Sequence, residues 1–119
     1  MSDDVLTTTE TETARSIHHT DLTAFQIDML VVTARLEISL ENVHGLAIKE
    51  SLEDIHGGEV NYSRLYPNLD ELAGMGILEK EAQSIDGRTN SYRVTVEGFR
   101  LLAARRIHIE GAVDGGDEE

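Results

Sequence analysis

Residues Val60 to Gly76 read VNYSRLYPNLDELAGMG, and the fold is read outward from them. Leu65, Leu69, Leu72 and Ala73 recur at spacings of four, three and one, which puts them on one face of a helix. Tyr62, Ser63, Arg64 and Asn68 fall largely off that face, and Asn61 stands where an N-cap is expected. Pro67 removes a backbone donor, so either the first turn is distorted or the regular helix starts at Ser63. Gly74 and Gly76 close it. An apolar back with an Arg/Asn/Ser/Tyr front suits a DNA major groove, where Arg pairs bidentately with guanine and Asn with adenine. The same pattern also describes an ordinary amphipathic helix with a solvated front.

The segments that follow favour the first reading. Ile77–Gln83 and Ser91–Val96 both alternate in polarity, and the stretch between them carries an Asp86-Gly87 turn signal. Two strands around a tip bearing Arg88, directly after a recognition-type helix, predict a winged helix-turn-helix. A wing lying along a phosphate backbone needs a basic tip, and Arg88, Thr89, Asn90 and Arg93 are its expected DNA contacts. Thr95 then caps a last helix, Glu97 to about Ile109, with Phe99, Leu102, Ala103 and Ile107 as its apolar stripe and Leu101 and Ile109 on other faces.

Upstream, Thr23 and Gln26 form a capping box, with Leu22 and Ile27 at the staple positions. The helix they start carries two apolar stripes, Ile27/Leu30/Val31/Ala34/Ile38 and Phe25/Met29/Val32/Leu36. A helix apolar on both sides is buried on both sides. Phe25, Met29, Val32 and Leu36, with Phe99, Leu102 and Ile107 of the last helix, are assigned to a subunit interface. A second short helix, His44 to Ile55, is expected to turn Ile48, Leu52 and Ile55 inward and to end at His56-Gly57-Gly58. The predicted fold class is mainly α with a β-hairpin wing. The expected divisions are a disordered tail over 1–20, a DNA-binding winged helix-turn-helix over 21–96, a C-terminal dimerisation helix over 97–110 and an acidic tail over 111–119.

The chain has 119 residues and no Cys, which removes disulfides, thiolate metal sites and thiol redox sensing. His18-His19 supplies half a metal-ligand set at most, so neither metal nor cofactor is expected. No apolar run spans a bilayer and the N-terminus is polar and acidic, so the chain reads as soluble and cytoplasmic. Its oddity is charge: Asp+Glu 23 against Lys+Arg 10, net −13. Phosphate attraction normally supplies most non-specific DNA affinity, so this acidity opposes nucleic-acid binding at low salt. It resembles the composition of proteins from salt-accumulating archaea. At about 1 M salt the Debye length is about 3 Å, and long-range repulsion from DNA is screened. Inorganic ions are therefore expected at the surface.

Gly45-Leu-Ala-Ile-Lys-Glu, Arg64-Leu-Tyr-Pro-Asn-Leu-Asp-Glu-Leu, Gly76-Ile-Leu-Glu-Lys and Arg88-Thr-Asn-Ser-Tyr-Arg-Val-Thr-Val-Glu-Gly together resemble the PadR-like winged-helix transcription regulators. The likeness covers about residues 21–110 and is closer to a haloarchaeal member linked to the response to reactive oxygen species. It implies a homodimer that contacts operator DNA through the helix around Arg64 and the wing around Arg88, joined by its first and last helices. The C-terminal part is shorter than in many members. A winged-helix module for protein–protein contact is the alternative, and acidity permits it. For an enzyme, the sequence offers no nucleophile set and no Gly-rich phosphate loop after a strand.

Overall fold

The computed structural model of the chain describes residues 17–82 and 90–117. A 3₁₀ turn, His19–Asp21, leads into α1 (Ala24–Ser39), α2 (Gly45–His56), α3 (Tyr62–Gly74), β1 (Leu78–Ala82), β2 (Asn90–Val94) and α4 (Val96–Asp117). This is the predicted winged helix-turn-helix with a following helix. Most of the 1–20 tail, Arg88, Thr89 and the Asp86-Gly87 turn lie outside the described residues. Among the described residues no helix is long and apolar enough to cross a membrane.

Local signals set the helix ends. Thr23 Oγ1 accepts from the Gln26 N–H and Gln26 Oε1 accepts from the Thr23 N–H, both at 3.1 Å, so the capping box is formed. Gly57, at φ 68, closes α2 in the left-handed conformation that costs Gly least. Gly76 (φ 78) does the same after α3: its N–H reaches Ala73 O at 3.0 Å and the Ile77 N–H reaches Leu72 O at 3.2 Å. That pair of bonds satisfies the last carbonyls and turns the chain into β1. Asn61 is the N-cap of α3 by backbone, its carbonyl accepting from Arg64 and Leu65, but its side chain makes no capping bond. Regular helix starts at Tyr62 and runs through Pro67.

β1 and β2 pair antiparallel in the register Leu78↔Val94, Glu79↔Arg93, Lys80↔Tyr92. A short bridge, His44↔Ser91, with the Tyr92 N–H donating to Val43 O at 2.8 Å, ties the hairpin's base to the start of α2. Leu30 and Met29 of α1, Ile48 and Leu52 of α2, Leu65, Leu69 and Leu72 of α3, and Ile77, Leu78, Val94 and Leu101 form one core. Each fully buried Leu contributes about 1.5–3 kcal/mol relative to exposure, which outweighs the cost of carrying Pro67 in α3.

Several expectations change. Ile55 is about half exposed, because α2 buries Ile48 and Leu52 only. At the end of the 1–20 segment, Ile17 packs on the core and its carbonyl accepts from Arg100. The last helix continues past Ile109 to Asp117 through the acidic, Gly-rich stretch, since each residue added to an existing helix gains a hydrogen bond. Its inward side chain is Leu101, 1% exposed, whereas Phe99 and Ile107 point outward. The cause is Gly98, whose Cα packs so close that an added Cβ would strike the Ile77 carbonyl oxygen and Val94. Leu101, three residues on, shares that inward face. Thr95 is the cap as expected, its Oγ1 accepting from the Gly98 N–H at 3.1 Å.

Candidate nucleic-acid interface

The front of α3 carries Tyr62, Ser63, Arg64 and Tyr66, all exposed, and Asn61 stands exposed at its start. Tyr62 and Tyr66, one turn apart, stack with centroids 5.8 Å apart and planes 10° apart. Lys49 of α2 lies 5.2 Å from the Tyr62 centroid. Tyr66 in turn meets the start of α2, where a Cβ on Gly45 would fall 2.9 Å from the Tyr66 Oη. The i, i+4 spacing of two tyrosines was readable in the sequence, but the participation of Tyr66, Lys49 and Gly45 was not.

Arg64 sits in the first turn of α3. Its guanidinium carbon lies 3.8 Å from the Phe25 ring centroid, and it has no carboxylate partner among the described residues. The neighbouring cations differ. Lys49 pairs with Glu53 at 2.9 Å, Lys80 with Asp70 at 3.0 Å, and Arg93 with Glu79 at 2.9 Å. The hydrogen bond to Glu53 holds the Lys49 ammonium above its usual pKa, and Glu79 likewise raises Arg93. The Val60 N–H first, then Lys49, hold the Glu53 carboxyl below the usual range.

Asn68 is half-buried and already engaged: its Nδ2 donates to Arg64 O at 2.8 Å and its Oδ1 accepts from Gln26 at 3.2 Å. At the wing, Asn90 begins β2 and its carbonyl lies 3.0 Å from His44 Nδ1. Arg93 points to the face lined by Glu37, Glu41, Glu79 and Glu81, which opposes an approach to phosphate from that side. The structure thus brings Asn61, Tyr62, Ser63 and Arg64 together on one front, with Asn68 tied behind them and Arg93 neutralised beside the hairpin. Asp70 and Glu71 stand on the same helix, so the front is not a basic patch.

The α1 stripe assigned to a subunit interface faces inward in the protomer. Phe25, Met29 and Val32 are buried in the protomer's own core and Leu36 is half-buried against it. The other stripe is less covered: Ile27 is buried at the core's edge, Val31 and Ala34 are half-buried, and with Leu102 and Ile109 of α4 they line a groove of about 670 Å³ rimmed by Asp28, Arg35, Arg105, Arg106 and Glu110. Leu102 therefore lines this groove, and Ile107 and Phe99 are exposed on α4. Among the described residues no cluster of three or more His, Asp or Glu side chains is placed to hold a metal ion.

The family described as the transcriptional regulator PadR-like family matches residues 36–104. Among solved structures, RosR of H. salinarum is 39% identical over 82% of this chain and 96% of its own, with a TM-score of 0.59. A complex structure, hsRosR-SG, is 38% identical over 86% of this chain and 97% of that one, with a TM-score of 0.62. A PadR-like transcription factor from Bacteroides fragilis is 18% identical over 78% and 86% of the two chains, TM-score 0.61, and shares the fold. No curated protein matches the chain significantly. With the family matched over more than half its length and RosR nearly 40% identical, the chain belongs to the PadR-like family and is a winged-helix transcription regulator rather than an enzyme.

Proposed function

We propose that this regulator binds operator DNA sequence-specifically as a homodimer, with α3 in the major groove and the wing along the backbone. The observation that carries the reading is Arg64, an exposed guanidinium in the first turn of α3 with no carboxylate partner among the described residues. Arg is the side chain whose fork matches guanine O6 and N7. Asn61, Tyr62 and Ser63 flank it as further contacts, and Arg88, Thr89 and Asn90 complete the set from the wing. Asn68 reads a base only by surrendering its bonds to Gln26 and Arg64, and Arg93 only by leaving Glu79. A second copy covers the groove between α1 and α4, so the two recognition helices reach successive major grooves. The winged helix over 21–96 is the DNA-binding unit and α4 the dimerisation element.

A high-salt cytoplasm suits the acidity. In a dimer of net charge 2 × (−13) = −26, salt relieves repulsion from phosphate, and cations are taken up between carboxylates and DNA. Specific affinity is therefore expected to hold or rise from sub-molar to molar potassium salt, the reverse of ordinary counterion release. A role in the oxidative-stress response is part of this reading by its likeness to RosR. With no Cys, it would sense oxidant indirectly or through Met29 or Met75. The second reading, a module for protein contact, is favoured by the neutralised Lys49, Lys80 and Arg93. Fluorescence anisotropy with duplex DNA selected by the protein from a random library in molar salt separates the two. Arg64→Ala should cost about 1–3 kcal/mol and relax one base preference per half-site. Failure to select any sequence would favour the protein-contact module, and a monomeric mass by light scattering would remove the dimer.

A further inference from the structure

Phe25 packs into the protomer core at the first turn of α1, yet one element of its surroundings is not core. The Arg64 guanidinium lies over its ring at 3.8 Å, and the ring also stacks with His56, centroids 6.0 Å apart. His56 is itself held by Asp28, Nε2 to Oδ2 at 3.3 Å. A guanidinium that stacks uses its π face, while its N–H donors lie in the plane and stay free for a partner at the edge. Contact of the guanidinium carbon with the ring at 3.8 Å therefore restricts the Arg64 fork without consuming its donors. The next residue, Gln26, ties the same helix turn to α3 through Asn68, whose Nδ2 holds the Arg64 carbonyl. Backbone and side chain of Arg64 are thus both held by the first turn of α1.

We propose that Phe25 is a positioning residue for base reading: its ring sets the plane and reach of the Arg64 fork before DNA arrives. This rests on the reading of Arg64 as a DNA contact. An Arg on a bare helix surface gives up its rotamer freedom at the moment of binding, whereas one already stacked has given up part of it beforehand. The ring also places a flat apolar surface behind the fork, which an ammonium at position 64 would not exploit in the same way.

The test is a double-mutant cycle in the full-length protein, with Phe25→Leu and Arg64→Ala, on a duplex selected by the protein from a random library. Leu keeps the site apolar and close to filled, and urea denaturation checks its folding separately. Phe25→Leu should weaken binding about 3- to 30-fold and relax preference at the same base that Arg64→Ala relaxes. In the Arg64→Ala background it should change affinity by less than about 2-fold. An equal loss in both backgrounds, or an intact base preference in Phe25→Leu, overturns the inference while leaving Arg64 as a contact. An unchanged affinity and preference in Arg64→Ala overturns the contact itself, and the inference with it. The wild-type protein supplies a readout that needs no variant. The Arg64 Hε resonance should be displaced upfield by the Phe25 ring in the free protein and stay so in the complex. Its return to the ordinary Arg position on binding would show the stack abandoned and overturn the proposal.

Discussion

Gly45→Ala should leave stability almost unchanged and still weaken DNA binding. The new methyl would lie 2.9 Å from Tyr66 Oη, 3.0 Å from Cε1 and 3.2 Å from Cζ. Gly45 does not have positive φ, so the backbone accepts Ala without strain, and the conflict is with the ring alone. That ring is 39% exposed and can yield by a few tenths of an ångström toward solvent. Its movement disrupts the stack on Tyr62, and such aromatic pairs are worth about 0.5–1.5 kcal/mol beyond their area. Against this, Ala gains up to about 1 kcal/mol over Gly in a helix, less in a first turn. The net change in stability should therefore lie within about 1 kcal/mol of zero. Tyr62 and Tyr66 form the front of α3, so their displacement should reduce affinity for the selected duplex about 3- to 10-fold, or about 0.7–1.4 kcal/mol. Urea denaturation and fluorescence anisotropy on one preparation give both numbers. In a Tyr66→Ala background the methyl meets empty space, and Gly45→Ala should become neutral or stabilising. A loss of stability above about 2 kcal/mol would mean that the ring cannot move. Unchanged affinity would remove the tyrosine pair from the DNA-facing surface.

Gly98→Ala should be far more damaging, costing about 1–3 kcal/mol, because its methyl meets the Ile77 backbone and not a flexible tip; a thermal midpoint equal to the parent's would refute this. Tyr92 has a buried hydroxyl with no well-formed hydrogen bond among the described residues, Asn90 alone lying near enough to oppose the shift, and burial first, then Asp70, pushes its pKa up to about 12. Tyr92→Phe removes that orphan and should be neutral or stabilising by about 1 kcal/mol in urea denaturation, whereas a clear loss would mean that the hydroxyl is satisfied in solution. His19 Nδ1 lies 3.2 Å from Arg105 and its ring is 5.3 Å from that of His108. Desolvation first, then Arg105, lowers its pKa below 6.5, so the folded state binds fewer protons than the unfolded one. Docking of the 3₁₀ turn on α4 should thus be intact above about pH 6.5 and weaken as pH falls through the lowered value. Hydrogen exchange at His19–Asp21 between pH 7.5 and 5.5 checks this, and His19→Asn should flatten the dependence.

Short-range chemistry made much of this protein readable without coordinates. The Thr23/Gln26 box, the Gly57 and Gly76 closures, the Thr95 cap and the buried Leu65/Leu69/Leu72 face each depend on residues within about one or two turns of each other, so spacing alone discloses them. The same holds for the order helix, helix, recognition helix, hairpin, helix, and for the exposed front of Arg64 and Tyr62. Where two faces of one helix were equally apolar, spacing had nothing to choose with. Only packing decided that Phe25, Met29 and Val32 of α1 are buried away from any groove, whereas Ile27 at the core's edge and half-buried Val31 and Ala34 line one. In α4 the rotation was set by Gly98 against Ile77, a contact across the fold, which turned Leu101 inward and Phe99 out. The state of the arginines was tertiary as well. Residue type marked both Arg64 and Arg93 as candidate contacts, but cross-strand register delivered Arg93 to Glu79, and the crossing of α1 beneath α3 laid Arg64 on Phe25, because a charge is neutralised or left available by whatever the fold brings within about 4 Å of it.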